Sequence, residues 1–95
     1  MLFPSNVELD AVDEILEGQL GPAFRASDGF RSLSVSAGGL MGPAAQDGEI
    51  GAIVEATFET LDQALAAMMA PSFEATKTMV EGLGVRIYLF ELREL

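Results

Sequence analysis

The chain contains no cysteine and no histidine, and five basic residues stand against fifteen acidic ones, a formal net charge of −10. Without cysteine there is no disulfide framework, no thiolate zinc site and no thiol nucleophile. Without histidine the commonest general base, the commonest metal ligand and the usual axial ligand to haem iron are missing together. No metal site and no cofactor is expected. The shortage of positive charge excludes a further class of partner. An acidic surface repels phosphate backbones and anionic headgroups, so neither nucleic acid nor membrane is an expected partner. Long apolar runs are also lacking, and Met1-Leu2-Phe3-Pro4 has neither the basic region nor the apolar core of a secretion signal. A cytoplasmic protein is expected.

What is present is apolar. Hydrophobic residues make up 49% of the 95 positions and charged residues only 21%. So short a chain forms one domain, residues 1–95, and has more apolar surface than its own core can absorb. A homodimer is therefore expected.

The stretch from Glu49 to Met69 organises the rest. From Glu49 to Phe58 every even position (Ile50, Ala52, Val54, Ala56, Phe58) is apolar, the period of a strand with one buried face. Glu59-Thr60 leads directly into a helix over Leu61–Met69, with Thr60 and Gln63 at capping-box spacing. Leu61, Ala64, Leu65 and Met68 form its expected core-facing stripe.

Upstream, Leu2-Phe3-Pro4 ends a short strand. Ser5 and Glu8 have the spacing of another capping box ahead of a first helix, along which Leu9, Val12, Leu16 and Leu20 make an apolar stripe with Ile15 at its edge. Gly18, Gly21 and Pro22 predict a kink or break near its end. Asp10, Asp13, Glu14 and Glu17 lie on the opposite face, at a spacing better suited to solvent than to a cation, since no turn wraps an ion there. Asp28-Gly29 marks a turn into a second strand, Phe30–Ala37. Its alternation sets Arg31, Leu33, Val35 and Ala37 on one face and Phe30, Ser32, Ser34 and Ser36 on the other.

Gly38–Gly48 reads as a hairpin loop whose glycines match neither phosphate-binding pattern; Leu40 and Met41 in it could cover a pocket. After the second helix, Pro71 and Ser72 introduce another, with Phe73, Thr76, Met79 and Val80 on its buried side. The last strand is expected over Leu83–Leu92, with Val85, Ile87 and Leu89 on one face and Arg86, Tyr88 and Phe90 on the other.

The order β-α-β-β-α-β predicts an α+β, ferredoxin-like fold in which helices cover one face of a four-stranded antiparallel sheet. The other face, with Ile53, Tyr88, Phe90 and Leu92 among its polar residues, is too apolar to remain wet. Two such faces packed together would enclose a cavity.

The segment Ile53-Val54-Glu55-Ala56-Thr57-Phe58-Glu59-Thr60-Leu61-Asp62-Gln63-Ala64-Leu65 resembles the strand-into-helix segment of the dimeric α+β barrel superfamily, in particular its EthD-like and antibiotic-biosynthesis-monooxygenase-like groups. Gly21-Pro22-Ala23-Phe24 and Asp28-Gly29-Phe30 are similar to the segment between helix one and strand two of those groups. The resemblance implies a dimeric barrel and, for an enzyme, cofactor-free oxygenation or isomerisation of an apolar or aromatic molecule. The chain departs from the pattern at two places. Gln19 or Leu20 stands where EthD-type proteins often carry histidine, and Phe58 stands where tryptophan is common.

Candidate groups lie on the bare sheet face. Glu55 would act as a base, Tyr88 as a proton or hydrogen-bond donor, Arg86 as a partner for an enolate and Ser34 as a carbonyl orienter. Ser32, Ile53 and Phe90 would complete a ligand-binding wall. The same residues are consistent with a Glu55–Arg86 structural ion pair, with a non-catalytic binding or accessory protein, or with a purely structural dimer.

Overall fold

The strand Ile50–Phe58 (β3) is the one to which both other strands pair. A computed structural model describes residues 1–38, 40–43 and 48–95. Leu2–Pro4 (β1) and Phe30–Val35 (β2) flank β3, both antiparallel to it, in the order β1-β3-β2. The protein is thus α+β with a three-stranded antiparallel sheet among the described residues. The fourth strand expected over Leu83–Leu92 is represented by a single bridge, Arg86 opposite Leu2. Beyond that bridge, residues 87–95 make no backbone-to-backbone hydrogen bond among the described residues, and without a ladder there is no strand.

Two irregularities set the faces of the sheet. Between Phe3 and Pro4 the register with β3 shifts, so that Phe3 faces Ala52 but Pro4 faces Ile50. Gly51 is the extra residue, and a Cβ there would come within 2.9 Å of the Ser5 Cα. The second shift lies between Phe30 and Ser32 and puts Phe30 opposite Phe58. This corrects the simple alternation, which set Phe30 on the face of the serines. With Arg31 as the extra residue, Phe30 turns to the helix side and its ring meets Phe58 edge-on at 5.8 Å.

The first helical stretch runs from Leu9 to Arg25 without a break. It consists of Leu9–Ile15 (α1), a π-helical turn over Leu16–Leu20 and Gly21–Arg25 (α2). The expected capping box is not formed: Glu8 is the N-cap and no side chain caps α1. The expected kink takes the form of the π turn. Pro22 has no N–H to give, and its ring would press on the carbonyl four residues earlier; the wider turn relieves both. The Gly21 N–H accordingly bonds the Leu16 carbonyl, five residues back. Val12, Ile15, Leu16 and Leu20 are buried, whereas Leu9 is exposed.

Leu61–Met69 (α3) begins as its sequence predicts. The Thr60 Oγ1 accepts from the Gln63 N–H at 3.1 Å. The capping box is only half made, because the Gln63 side chain turns away from Thr60 to lie against Gly29. Thr60→Ala is expected to cost about 1 kcal/mol, read as a lower urea midpoint, while Thr60→Asp should cost nothing measurable.

The α3 stripe is met in part. Met68 packs against the core and Ala64 is half-buried as expected, but Leu61 and Leu65 are exposed and Ala67 is buried. Pro71 does not merely end α3. It occupies the first turn of Pro71–Gly82 (α4), with Ala70 rather than Ser72 at the N-cap.

The helices all lie on one side of the sheet. Between the layers Phe24 packs on Phe73 at 5.2 Å and on Phe58 at 5.9 Å, and Phe3, Leu20, Val12, Val54 and Val80 fill the rest. Among the described residues no helix is long and apolar enough to cross a membrane. The expected loop Gly38–Gly48 lies partly outside the described residues. Within the described part, Leu40 is half-buried and Met41 exposed.

Candidate functional site

The bare face of the sheet is built from residues that alternate away from the helices. On β3 these are Ile53, Glu55 and Thr57, because Ala52 and Val54 between and beside them are buried in the core. Strand pairing then selects their neighbours. Ser34 stands opposite Glu55, Ser32 opposite Thr57 and Leu2 opposite Ile53. The Leu2–Arg86 bridge places Arg86 on the same side. Ser32, Ser34, Ile53, Glu55 and Arg86, predicted to share a face, therefore do share one.

Hydrogen bonding along this face is sparse. The hydroxyls of Ser32 and Thr57 bond each other at 2.5 Å. The Ser36 Oγ accepts from the Ile53 N–H at 3.0 Å, extending the β2–β3 pairing beyond Val35. Ser34 and Glu55 face solvent, and Glu55 forms no ion pair among the described residues, where the only salt bridge is Lys77–Glu74 at 3.4 Å. The Glu55–Arg86 pair expected from a structural role is thus not made within the chain. The Met1 amino group, which feels the charge of Glu55, donates to the Val54 carbonyl at 2.6 Å. Burial lowers its pKa from the ordinary value, and the Glu55 carboxylate acts in the opposite sense.

Tyr88 and Phe90 are exposed in the segment beyond the Arg86 bridge. Arg86 and Tyr88, with Val85, Ile87 and Leu89, line an open groove of about 410 Å³ against Met68, Lys77 and Glu81. A second open groove, about 440 Å³, lies between α2 and α3 among Ala23, Ser27, Asp28, Gln63 and Ala67. Neither groove is lined by Glu55, Ser32 or Ser34.

Thr57 was not among the expected site residues, although it has the same parity as Glu55 and period-two reading alone would have found it. Leu2 gave no such signal, since only its pairing with Ile53 and Arg86 places it. Among the described residues no group of three or more acidic side chains could hold a metal ion. The arrangement as a whole is a carboxylate and three hydroxyls on a flat surface, bordered by Leu2, Ile53 and one arginine. Such a surface can bind and orient an apolar molecule with one polar end once something covers it. Comparison of the chain with protein-family models, with curated proteins and with solved structures found no match.

Proposed function

We propose that the protein is a homodimeric small-molecule-binding domain, in which two copies of the bare sheet face close over an apolar or aromatic ligand as in a dimeric α+β barrel. The observation that carries this reading is the one-sidedness of the sheet. All of the described helices cover the face of Ala52 and Val54, while Leu2 and Ile53 on the other face border Glu55 and the hydroxyls of Ser32, Ser34 and Thr57. Covering that face removes apolar area from water, at about 25 cal/mol per Å². The polar groups left inside then fix the orientation of a ligand.

A catalytic version is favoured by one further observation. Glu55 is a carboxylate beside a hydroxyl, with no cation in ion-pair distance among the described residues. A covered Glu55 would stand against the bound molecule as a base able to move a proton from one carbon of a carbon acid to another. That is isomerisation without a cofactor.

The test uses the whole protein, with Nile red and a panel of small aromatic ketones as probes. Sedimentation should show a dimer at micromolar concentration. Glu55→Gln should keep the dimer and the thermal midpoint and change the affinity for the ketones roughly tenfold, about 1.4 kcal/mol. Unchanged affinity removes Glu55 from the site. A monomeric wild-type protein overturns the reading as a whole.

A further inference from the structure

We propose that the segment Ile87–Leu95 is an exchange strand, which adds to the free edge of β2 in a second copy and brings Tyr88 and Phe90 to that copy's Glu55 face. The proposal rests on the homodimer reading above and supplies what that reading lacks, the origin of the aromatic part of the site.

Backbone hydrogen bonding comes first. The Leu2 N–H donates to the Arg86 carbonyl at 2.8 Å and the Arg86 N–H to the Leu2 carbonyl at 3.0 Å. Beyond them, no backbone-to-backbone hydrogen bond involves residues 87–95 among the described residues. The segment sets Tyr88, Phe90 and Leu92 at alternate positions, the period of a strand, yet it makes no ladder in its own chain among the described residues. On the far side of the sheet, β2 pairs among the described residues with β3 alone and leaves its other edge open. An unprotected edge of this kind is a template for another strand. Phe30–Val35 contains no proline, and Arg31 is its one charged residue.

The side chains agree. Tyr88, Phe90 and Leu92 are 60%, 63% and 88% exposed, apolar side chains that the single chain leaves in water. Arg86 shares the bare face with Leu2, and in a strand continued from Arg86 alternation would carry Tyr88 and Phe90 to that same side. Ile87, one residue out of phase, packs instead against the core. Set against β2 of a second copy with these faces aligned, Tyr88 and Phe90 would lie over Ser32, Ser34 and Glu55. The dimer would then hold, over each carboxylate, an aromatic pair donated by the other copy.

Charge selects a second copy of this chain as the occupant. The molecule is strongly acidic, and Glu8, Asp10, Asp13, Glu14 and Glu17 concentrate that charge on α1, its N-cap and the π turn that follows. The segment 87–95 has Arg93 against Glu91 and Glu94, and β2 contributes Arg31, so this pairing is neutral. Two copies can approach here without bringing their acidic helices together. Six paired residues span roughly 20 Å. Four aromatic side chains at about 150–250 Å² each bring the buried surface toward the 1,000 Å² or more that a specific interface needs.

The absence of cysteine makes the test direct. Chains carrying Ser34→Cys and chains carrying Phe90→Cys are mixed, allowed to exchange and oxidised, and the pairing is repeated with Ser32→Cys against Tyr88→Cys or Leu92→Cys. A disulfide requires Cα atoms about 4.4–6.8 Å apart. Mixed cross-links between the two kinds of chain, identified by mass, should therefore form in at least one pairing and exceed either homodimeric product. Leu89→Pro should raise the dimer dissociation constant at least tenfold while leaving the circular dichroism spectrum of the monomer intact, because that segment makes no ladder in its own chain. A wild-type dimer without any mixed cross-link, or one indifferent to Leu89→Pro, overturns strand exchange and leaves the homodimer reading standing. A wild-type monomer overturns both.

Discussion

Phe24→Ala is expected to remove most of the stability of the fold. Phe24 is the point at which the layers meet, with its ring 5.2 Å from Phe73 of α4 and 5.9 Å edge-on from Phe58 of β3. It is almost wholly buried. Truncating such a ring costs about 3–5 kcal/mol through lost transfer energy and the cavity left behind. The edge-to-face contact adds roughly 0.5–1.5 kcal/mol to what is lost. Small domains are stable by only about 5–15 kcal/mol in total. The urea midpoint should therefore fall by half or more, with Phe24→Leu much milder at below about 1.5 kcal/mol. A loss under about 1 kcal/mol for the alanine variant would show that α2 does not anchor the helical layer.

The second large effect is expected at Gly29. Its φ is +76°, a conformation other residues adopt only at a cost, and an added Cβ would sit 1.9 Å from the Gln63 Oε1 and 2.2 Å from its Cδ. Gly29→Ala should lose about 1–2 kcal/mol to backbone strain and about 1–3 kcal/mol more to displacement of the Gln63 amide. The two parts can be separated. Gln63→Ala removes the obstacle and also a buried acceptor that has no hydrogen-bond partner. In the Gln63→Ala background, Gly29→Ala should cost only the strain, a coupling of at least ~0.5 kcal/mol in a double-mutant cycle read by urea denaturation. Strict additivity would mean that the Gln63 side chain moves aside freely and that only the backbone requires glycine. The same contact goes with the half-formed capping box: the Gln63 side chain lies against Gly29, at the turn into β2, instead of folding back on Thr60.

Together these contacts tie the start of β2 to α3 and to the aromatic cluster, which is how the flat face opposite them acquires its arrangement. Phe30 leaves the serine face because of one extra residue, Arg31, and the departure has consequences. The aromatic ring that alternation would have placed near Ser32 is spent on the core. In the dimer proposed above, Tyr88 and Phe90 of the other copy fill the same role.

Local periodicity was enough to place Glu55, Ile53, Ser32 and Ser34 on one face, since period two is a property of the extended chain and needs no partner to be legible. It was also enough for α3 and its Thr60 cap, because the capping residues lie within one turn of each other. It failed on α1 and α4 for the opposite reason. Ser5 and Ser72 satisfy the pattern of a cap, but the turn at Ser5 and the proline at position 71 move the helix starts to Leu9 and Pro71. The stripe of α3 was legible in part: Ala64 and Met68 turn inward as their spacing predicts, but hydrophobicity did not show that Ala67 is buried while Leu61 and Leu65 are exposed.

The element order through α4, the inward face of β3, the acidic composition and the chemistry that lacks histidine and cysteine were all legible in the chain of residues. Each of these depends on residue type or on neighbours within a few positions. The two register shifts, the side taken by Phe30 and the lack of a ladder beyond Arg86 among the described residues came from how distant segments pack. Register depends on where distant strands meet, and Leu2 and Arg86 stand at opposite ends of the chain. No local pattern records that pairing them leaves Tyr88 and Phe90 without a strand of their own.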